Sequence, residues 1–200
     1  MILGIDEVGR GCWAGPVVAG AVALNTPVVG LNDSKKLTKL ARARLDQTIR
    51  IEALAFGVGW ASVEEVDRLG LTEAVRLAMH RAVAEAEANA GEKASELIVD
   101  GSYNFFAEDP RARTVVGADA IIPEASAASI IAKVARDTWM ATDAARDFPA
   151  YQFEKHVGYG TALHLAMLKL YGVSTLHRKS FRPIKELLEW PVPSVNNDNV

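Results

Sequence analysis

Residues 1–24, MILGIDEVGRGCWAGPVVAGAVAL, decide the fold. Two apolar runs, residues 1–5 and 15–24, flank a polar, glycine-bearing connection over residues 6–14. The second run is small and β-branched, which suits a strand buried on both faces. Together they read as a hairpin. Asp6 and Glu7 close the first run. Adjacent strand residues face opposite sides of a sheet, so the pair reaches one site only if the strand ends or bends there. Gly9 and Gly11 supply that bend.

Outward from the hairpin, residues 37–52 place Leu37, Leu40, Ala41, Leu45, Thr48 and Ile49 near a 3.6-residue period, which predicts an amphipathic helix. A third strand follows over 53–60. Ser62 and Glu65 have capping-box spacing and start a short helix. A longer helix spans 72 to about 89 and stops at Gly91. Residues 97–100 form an apolar strand ending in Asp100, and 113–117 form another, with Asp119 just beyond. Pro123 opens a helix of small residues over 125 to about 145, and two more helices fit 161–171 and 183–189. Strands crowded into the first 120 residues, with helices after them, predict an α/β fold: a mixed sheet and a helical C-terminal portion over about 148–190, all in one domain over 1–190. Residues 191–200 read as a disordered tail.

Composition narrows the class. The 200 residues are 50% hydrophobic and 24% charged, which excludes a disordered chain. No apolar run approaches the ~20 residues of a membrane span. Residues 1–7 lack a basic, cleavable leader, and Cys12 is the lone cysteine, so a disulfide framework and a thiolate zinc cluster are excluded. A cytoplasmic, monomeric protein is expected. The net charge is −3, but it is segregated. Residues 31–50 carry an excess of four positive charges and residues 151–185 an excess of five, whereas 61–109 carry an excess of seven negative ones. An acidic molecule can thus present a basic face to phosphates.

Asp6-Glu7, Asp100 and Asp119 share one placement, at or just past strand ends. In an open α/β sheet such side chains converge on a common crevice. Carboxylates gathered there repel one another unless a cation sits between them, and Mg²⁺ favours this donor set. The residues alone therefore predict a carboxylate-rich metal site of the phosphoryl-transfer type. They also admit a metal-dependent phosphatase for small molecules, and the basic segments admit a non-catalytic nucleic-acid binder.

The ordered motifs go further. Gly4-Ile5-Asp6-Glu7-Val8-Gly9-Arg10-Gly11 and Ala14-Gly15-Pro16-Val17-Val18 open the series, followed by Asp33-Ser34-Lys35-Lys36-Leu37. Val99-Asp100-Gly101, Gly117-Ala118-Asp119 and the run from Ser126 to Asp137 come next. Gly158-Tyr159-Gly160-Thr161 and His177-Arg178-Lys179-Ser180-Phe181 close it. From residue 4 to residue 183 this series resembles the ribonuclease HII family. The resemblance implies a ribonuclease H-like mixed sheet flanked by helices. It implies an endonuclease that cuts RNA paired with DNA and incises 5′ of single ribonucleotides in duplex DNA, as in ribonucleotide excision repair, leaving 5′-phosphate and 3′-hydroxyl ends. Asp6, Glu7, Asp100 and Asp119 take the family's metal-ligand positions for two Mg²⁺ or Mn²⁺ ions, with Asp137 supporting. Gly9, Arg10, Gly11 and Tyr159 take the positions that sense the ribose 2′-hydroxyl.

With a duplex as substrate, Ser34 and Lys35 at a helix start, Lys133 on the helix face of Asp137, and Lys155, His156 and Arg178 are expected to contact phosphates. His80 and His164 are expected to be structural. Three places depart from the family pattern: Cys12-Trp13 after the glycine-arginine-glycine turn, Val157 where lysine is common, and Val173 with Thr175 where proline is common. Arg10 stands where the sister type HIII has lysine. The segment from Pro191 lacks the aromatic pair of a sliding-clamp motif, so no clamp partner is expected.

Overall fold

A computed structural model of the chain describes residues 1–31, 34 and 37–189. Five strands form one mixed sheet in the order β3-β2-β1-β4-β5. They are β1 Ile2–Val8, β2 Val17–Leu24, β3 Ala53–Ala61, β4 Glu96–Asp100 and β5 Ala112–Val115. The expected hairpin is antiparallel and continues antiparallel into β3, while β1 pairs parallel with β4 and β4 with β5.

The strand period divides the sheet into two faces. Leu3, Ile5, Val17, Ala19, Ala21, Leu97 and Val99 pack with helix α3, Leu71–Ala90, in the main core. On the other face Val22 meets Ile49 of helix α1, Lys39–Glu52, and Ile130 and Ile131 of helix α5, Pro123–Trp139. That second interface is close because its strand residues are small. A Cβ at Gly4 would run into the backbone of Glu124 and Ala125, and one at Gly20 into the Ala128 carbonyl. Helix α2, Val63–Leu69, carries the expected capping box, with Ser62 and Glu65 satisfying each other's backbone N–H groups. Gly91 ends α3 in the left-handed region, as its position predicts.

Beyond the sheet come α4, Ala118–Ile121, then α6, Ala145–Asp147, α7, Phe153–His156, α8, Ala162–Tyr171, and α9, Arg182–Glu189. The helix expected to run unbroken to about residue 145 instead leaves α geometry after Trp139, and Met140–Ala144 form a π-turn. The wider turn accompanies a fully buried Met140, whose sulfur fills the space over Gly15. Met140, Ala144, Tyr151, Phe153, Leu168 and Ile184 form a second core that receives Ala14 from the β1–β2 turn. No described helix is long and apolar enough to cross a membrane. Lys35 and the residues from 191 onward, with the tail and clamp expectations attached to them, lie outside the described residues.

Candidate active site

β1 runs regularly through the acidic pair to Val8, with Asp6 opposite Gly20 and Glu7 opposite Ala19. The bend expected at the pair is therefore displaced. The chain turns at Gly9, whose φ is +91° and where a Cβ would strike the Arg136 side chain. The two carboxylates consequently leave opposite faces. Asp6 points to the α5 side, and because Ile5 pairs with Val99, the next rung sets Asp100 beside it. Asp119 arrives on α4, whose first N–H, at Ala118, donates to Asp100 Oδ1 at 2.6 Å.

One carboxylate oxygen from each of Asp6, Asp100 and Asp119 lies within 4.8 Å of the others. Glu7 stands outside that trio and accepts a 2.9 Å hydrogen bond from Arg10 across the turn. Burial pushes the Asp6 carboxyl up to about 8. The neighbouring Glu7 and Asp100 charges add to the rise, and a hydrogen bond from Ser129 opposes it. Burial also raises Glu7, against the pull of Arg10. Three hard oxygen donors, crowded and partly desolvated, are suited to a divalent cation that would discharge this repulsion.

Two loops meet past the end of β1. Trp13 N–H donates to the Gly158 carbonyl at 2.9 Å, so the glycine-arginine-glycine turn is bonded directly to the loop carrying Tyr159. Tyr159 is 37% exposed, and Lys133 Nζ lies 5.0 Å over its ring. Lys133 also bridges to Asp137 at 3.0 Å, which places Asp137 in an ion pair along α5. The unusual Trp13 fits this arrangement, since its indole packs where a side chain at residue 160 would stand.

Three expected phosphate contacts are corrected. Arg178 is fully buried: its Nε and Nη1 donate to the carbonyls of Gly15 and Arg10, and its Nη2 is buried without a hydrogen-bond partner. Burial and neighbouring Arg136 lower it to about 10. His156 is buried between the Tyr151 carbonyl and the Gly158 N–H. Ser34 turns its hydroxyl inward to Ser129 at 2.8 Å, and α1 is capped by Thr38, so Ser34 does not stand at a helix start. Lys155 remains outside, hydrogen-bonded to Gln152. His164 is buried, in keeping with a structural part, and His80 bonds the Phe105 carbonyl.

Residues 3–184 match the family model described as Ribonuclease HII. The chain belongs to the ribonuclease HII family. A ribonuclease HII of Azoarcus sp. (strain BH72) is 48% identical over 193 residues, spanning 96% of this chain and 92% of its own length. Another, from Halorhodospira halophila (strain DSM 244 / SL1), is 47% identical over 188 residues and 94% of each chain. Among solved structures, the PCNA:RNase HII complex from Archaeoglobus fulgidus is similar with a TM-score of 0.74 at 25% identity, covering 94% of this chain and 96% of that one. Ribonucleases HII are metal-dependent endoribonucleases that cleave the RNA of RNA–DNA hybrids, and membership makes this chain such an enzyme.

Reading the ribonuclease HII sequence missed Arg136, His177 and the inward use of Arg178. Arg136 is fully buried and donates to the carbonyls of Ala14, Pro16 and Val157. Each of these residues sits in a motif quoted above. Their chemistry points inward because loop carbonyls without ladder partners need buried donors, a demand with no sequence pattern of its own.

Proposed function

We propose that this enzyme incises duplex DNA on the 5′ side of single ribonucleotides, as well as cleaving longer hybrids, using two divalent cations held by Asp6, Asp100 and Asp119. Glu7, whose charge interacts with those of Asp6 and Asp100, turns from Arg10 to serve as the fourth ligand. The observation that carries the reading is the convergence of three carboxylates within 4.8 Å beside the Gly9–Gly11 turn. When bound, paired Mg²⁺ or Mn²⁺ ions lower the pKa of the attacking water and stabilise the leaving 3′ oxygen, giving 5′-phosphate and 3′-hydroxyl ends. The protein's own part is to hold its ligands rigidly. Asp6 and Asp100 are fixed by sheet register, and Asp119 by the α4 start that Asp100 itself anchors.

Ribose recognition is assigned to Gly9, Arg10, Gly11 and Tyr159. Gly11 supports this. Its φ is not positive and an added Cβ would meet open space, so nothing within the protein demands glycine there. A sugar approaching the backbone does. The Tyr159 ring is exposed enough to pack on the next deoxyribose, and Lys133, with Lys155 further out, offers charge to phosphates.

The test is cleavage of a duplex carrying one ribonucleotide, with Mg²⁺, Mn²⁺ or chelator, against an all-DNA duplex. Metal-dependent incision 5′ of the ribonucleotide is expected. Asp100→Asn is expected to abolish cleavage while retaining hybrid binding, and near-normal turnover by that variant would remove the metal-site assignment. Tyr159→Ala is expected to lose more on the single-ribonucleotide duplex than on a long hybrid. Equal losses would reduce Tyr159 to a packing residue.

A further inference from the structure

Three histidines are buried behind Tyr159, and each has its proton placed by groups that cannot change roles. The Ser174 N–H, an obligatory donor, points at His177 Nδ1 at 3.0 Å, and the Ser174 hydroxyl lies 2.8 Å from the same nitrogen. His177 Nδ1 must therefore be bare and its proton carried on Nε2. That Nε2 lies 3.0 Å from His164 Nε2, which must then accept, leaving His164 protonated on Nδ1. His164 Nδ1 is 2.9 Å from the Tyr159 carbonyl, an obligatory acceptor. The assignment made from the Ser174 end thus agrees with the one required at the Tyr159 end. Donation runs one way along the chain, from Ser174 to His177 to His164 to Tyr159.

His156 is fixed in the same manner. It takes the Gly158 N–H on Nδ1 and gives its Nε2 proton to the Tyr151 carbonyl at 2.9 Å. Its ring stacks on His164 with centroids 4.3 Å apart. The Gly158 N–H and the Tyr159 carbonyl are therefore both gripped from the interior, on either side of the residue whose ring faces outward. A loop with only apolar packing beneath it could rotate these peptides, whereas this one has a single satisfied arrangement. All three rings are neutral in it, since an extra proton on either ring of the His164–His177 pair would set donor against donor.

We infer that the Ser174–His177–His164 chain, with His156 beside it, is the device that fixes where Tyr159 stands for ribose discrimination. His164 and His177 are positioning residues in this scheme, since neither reaches the reacting atoms. The inference rests on the reading of Tyr159 as part of the ribose sensor.

Two measurements test it. In the wild-type protein, ¹⁵N–¹H correlation spectra of the imidazoles should find the His164 proton on Nδ1 and the His177 proton on Nε2. A His164 proton on Nε2 would overturn the chain whatever Tyr159 does. Second, kcat and KM are compared on a single-ribonucleotide duplex and on a long hybrid for His177→Phe, His177→Gln and Tyr159→Ala. Phenylalanine keeps the ring and removes both nitrogens, while glutamine restores an N–H aimed at His164. Small displacements of positioning groups carry large rate effects, so His177→Phe should lose about tenfold more on the single-ribonucleotide duplex than on the hybrid, mainly in kcat. His177→Gln should recover most of that difference.

If Tyr159→Ala shifts the ratio and a folded His177→Phe does not, the positioning chain is wrong and the tyrosine assignment stands. If Tyr159→Ala leaves the ratio unchanged, the tyrosine assignment fails and this inference fails with it. Should His177→Phe not fold, His177→Gln and the imidazole spectra decide: a glutamine variant whose ratio has fallen as far as that of Tyr159→Ala overturns the chain.

Discussion

Asp6 and Val157 both hold costly conformations or charges, for different reasons. Asp6 is a carboxylate in a buried strand, beside Asp100 and within reach of the Glu7 charge, and it carries its proton up to about pH 8 when no cation is present. Asp6→Asn keeps the shape and removes the charge. It should abolish cleavage while stabilising the metal-free protein at pH 8 by on the order of 1–2 kcal/mol, or roughly 2–8 °C in Tm at this chain length. Thermal denaturation in chelator checks this, and a fall in Tm would mean that Asp6 is held mainly by hydrogen bonds. Val157 is β-branched yet sits at φ 44° in the left-handed region, where such side chains are strained by about 1 kcal/mol or more. Its carbonyl is bonded to Arg136 and its side chain packs on the second core. Val157→Lys removes the branch and keeps an aliphatic stem on the second core, long enough to carry a cation out to the surface of this loop. It should raise Tm by roughly 2 °C and steepen the salt dependence of hybrid binding by about one ion in the log–log slope. An unchanged slope would mean that residue 157 faces no phosphate.

Among the elements, α5 does most to assemble the site, because it lies close enough to β1 and β2 to bring Ser129 to Asp6 and Lys133 and Arg136 to the two loops. That closeness depends on Gly4 and Gly20, where a side chain would meet helix backbone. Gly20→Ala should therefore cost on the order of 2–3 kcal/mol, lowering Tm by roughly 4–12 °C, and should reduce turnover through displaced Ser129. Denaturation and steady-state kinetics on one preparation check both, and an unaltered Tm would show that the helix can withdraw without penalty. This level was also the most legible in the sequence. The β-branched run of β2, the Ser62 box and the Gly91 stop each act within a few residues, and each appears where its pattern predicts. The acidic trio was legible through strand-end placement. What stayed hidden depends on contacts between distant segments. The passage of β1 through Asp6-Glu7 is set by pairing to β2, the π-turn by Met140 filling the space over Gly15, and the burial of Arg178 and His156 by carbonyls in a turn more than 140 residues away or in their own loop.

For the whole molecule, stability against pH is the balance of two buried sets that titrate in opposite senses. His164 is lowered to about 4 by burial and the nearby His156 charge, His177 to about 3 by burial and the His164 charge, and burial lowers His156 as well. Unfolded, each takes a proton near pH 6.5, so the unfolded state binds more protons between that pH and the folded values. Their contribution is complete above about pH 7 and is lost as pH falls toward 4, by on the order of 3 kcal/mol for the His164–His177 pair. Asp6 works the other way. Its folded value of about 8 lies above the unfolded 3.8, so without a cation the folded state binds the extra proton, and stability declines as pH rises from 4 through 8. A divalent cation in the trio removes that second loss, because it favours the ionised carboxylate. The metal-free protein should therefore be most stable at an intermediate pH, near 6, and decline on both sides. Mg²⁺ should restore the alkaline limb and leave the acid limb unmoved. Tm measured from pH 4 to 9 in chelator and in Mg²⁺ separates the two sets. Recovery of the acid limb by metal would place the destabilising protons on the carboxylates and not on the histidines.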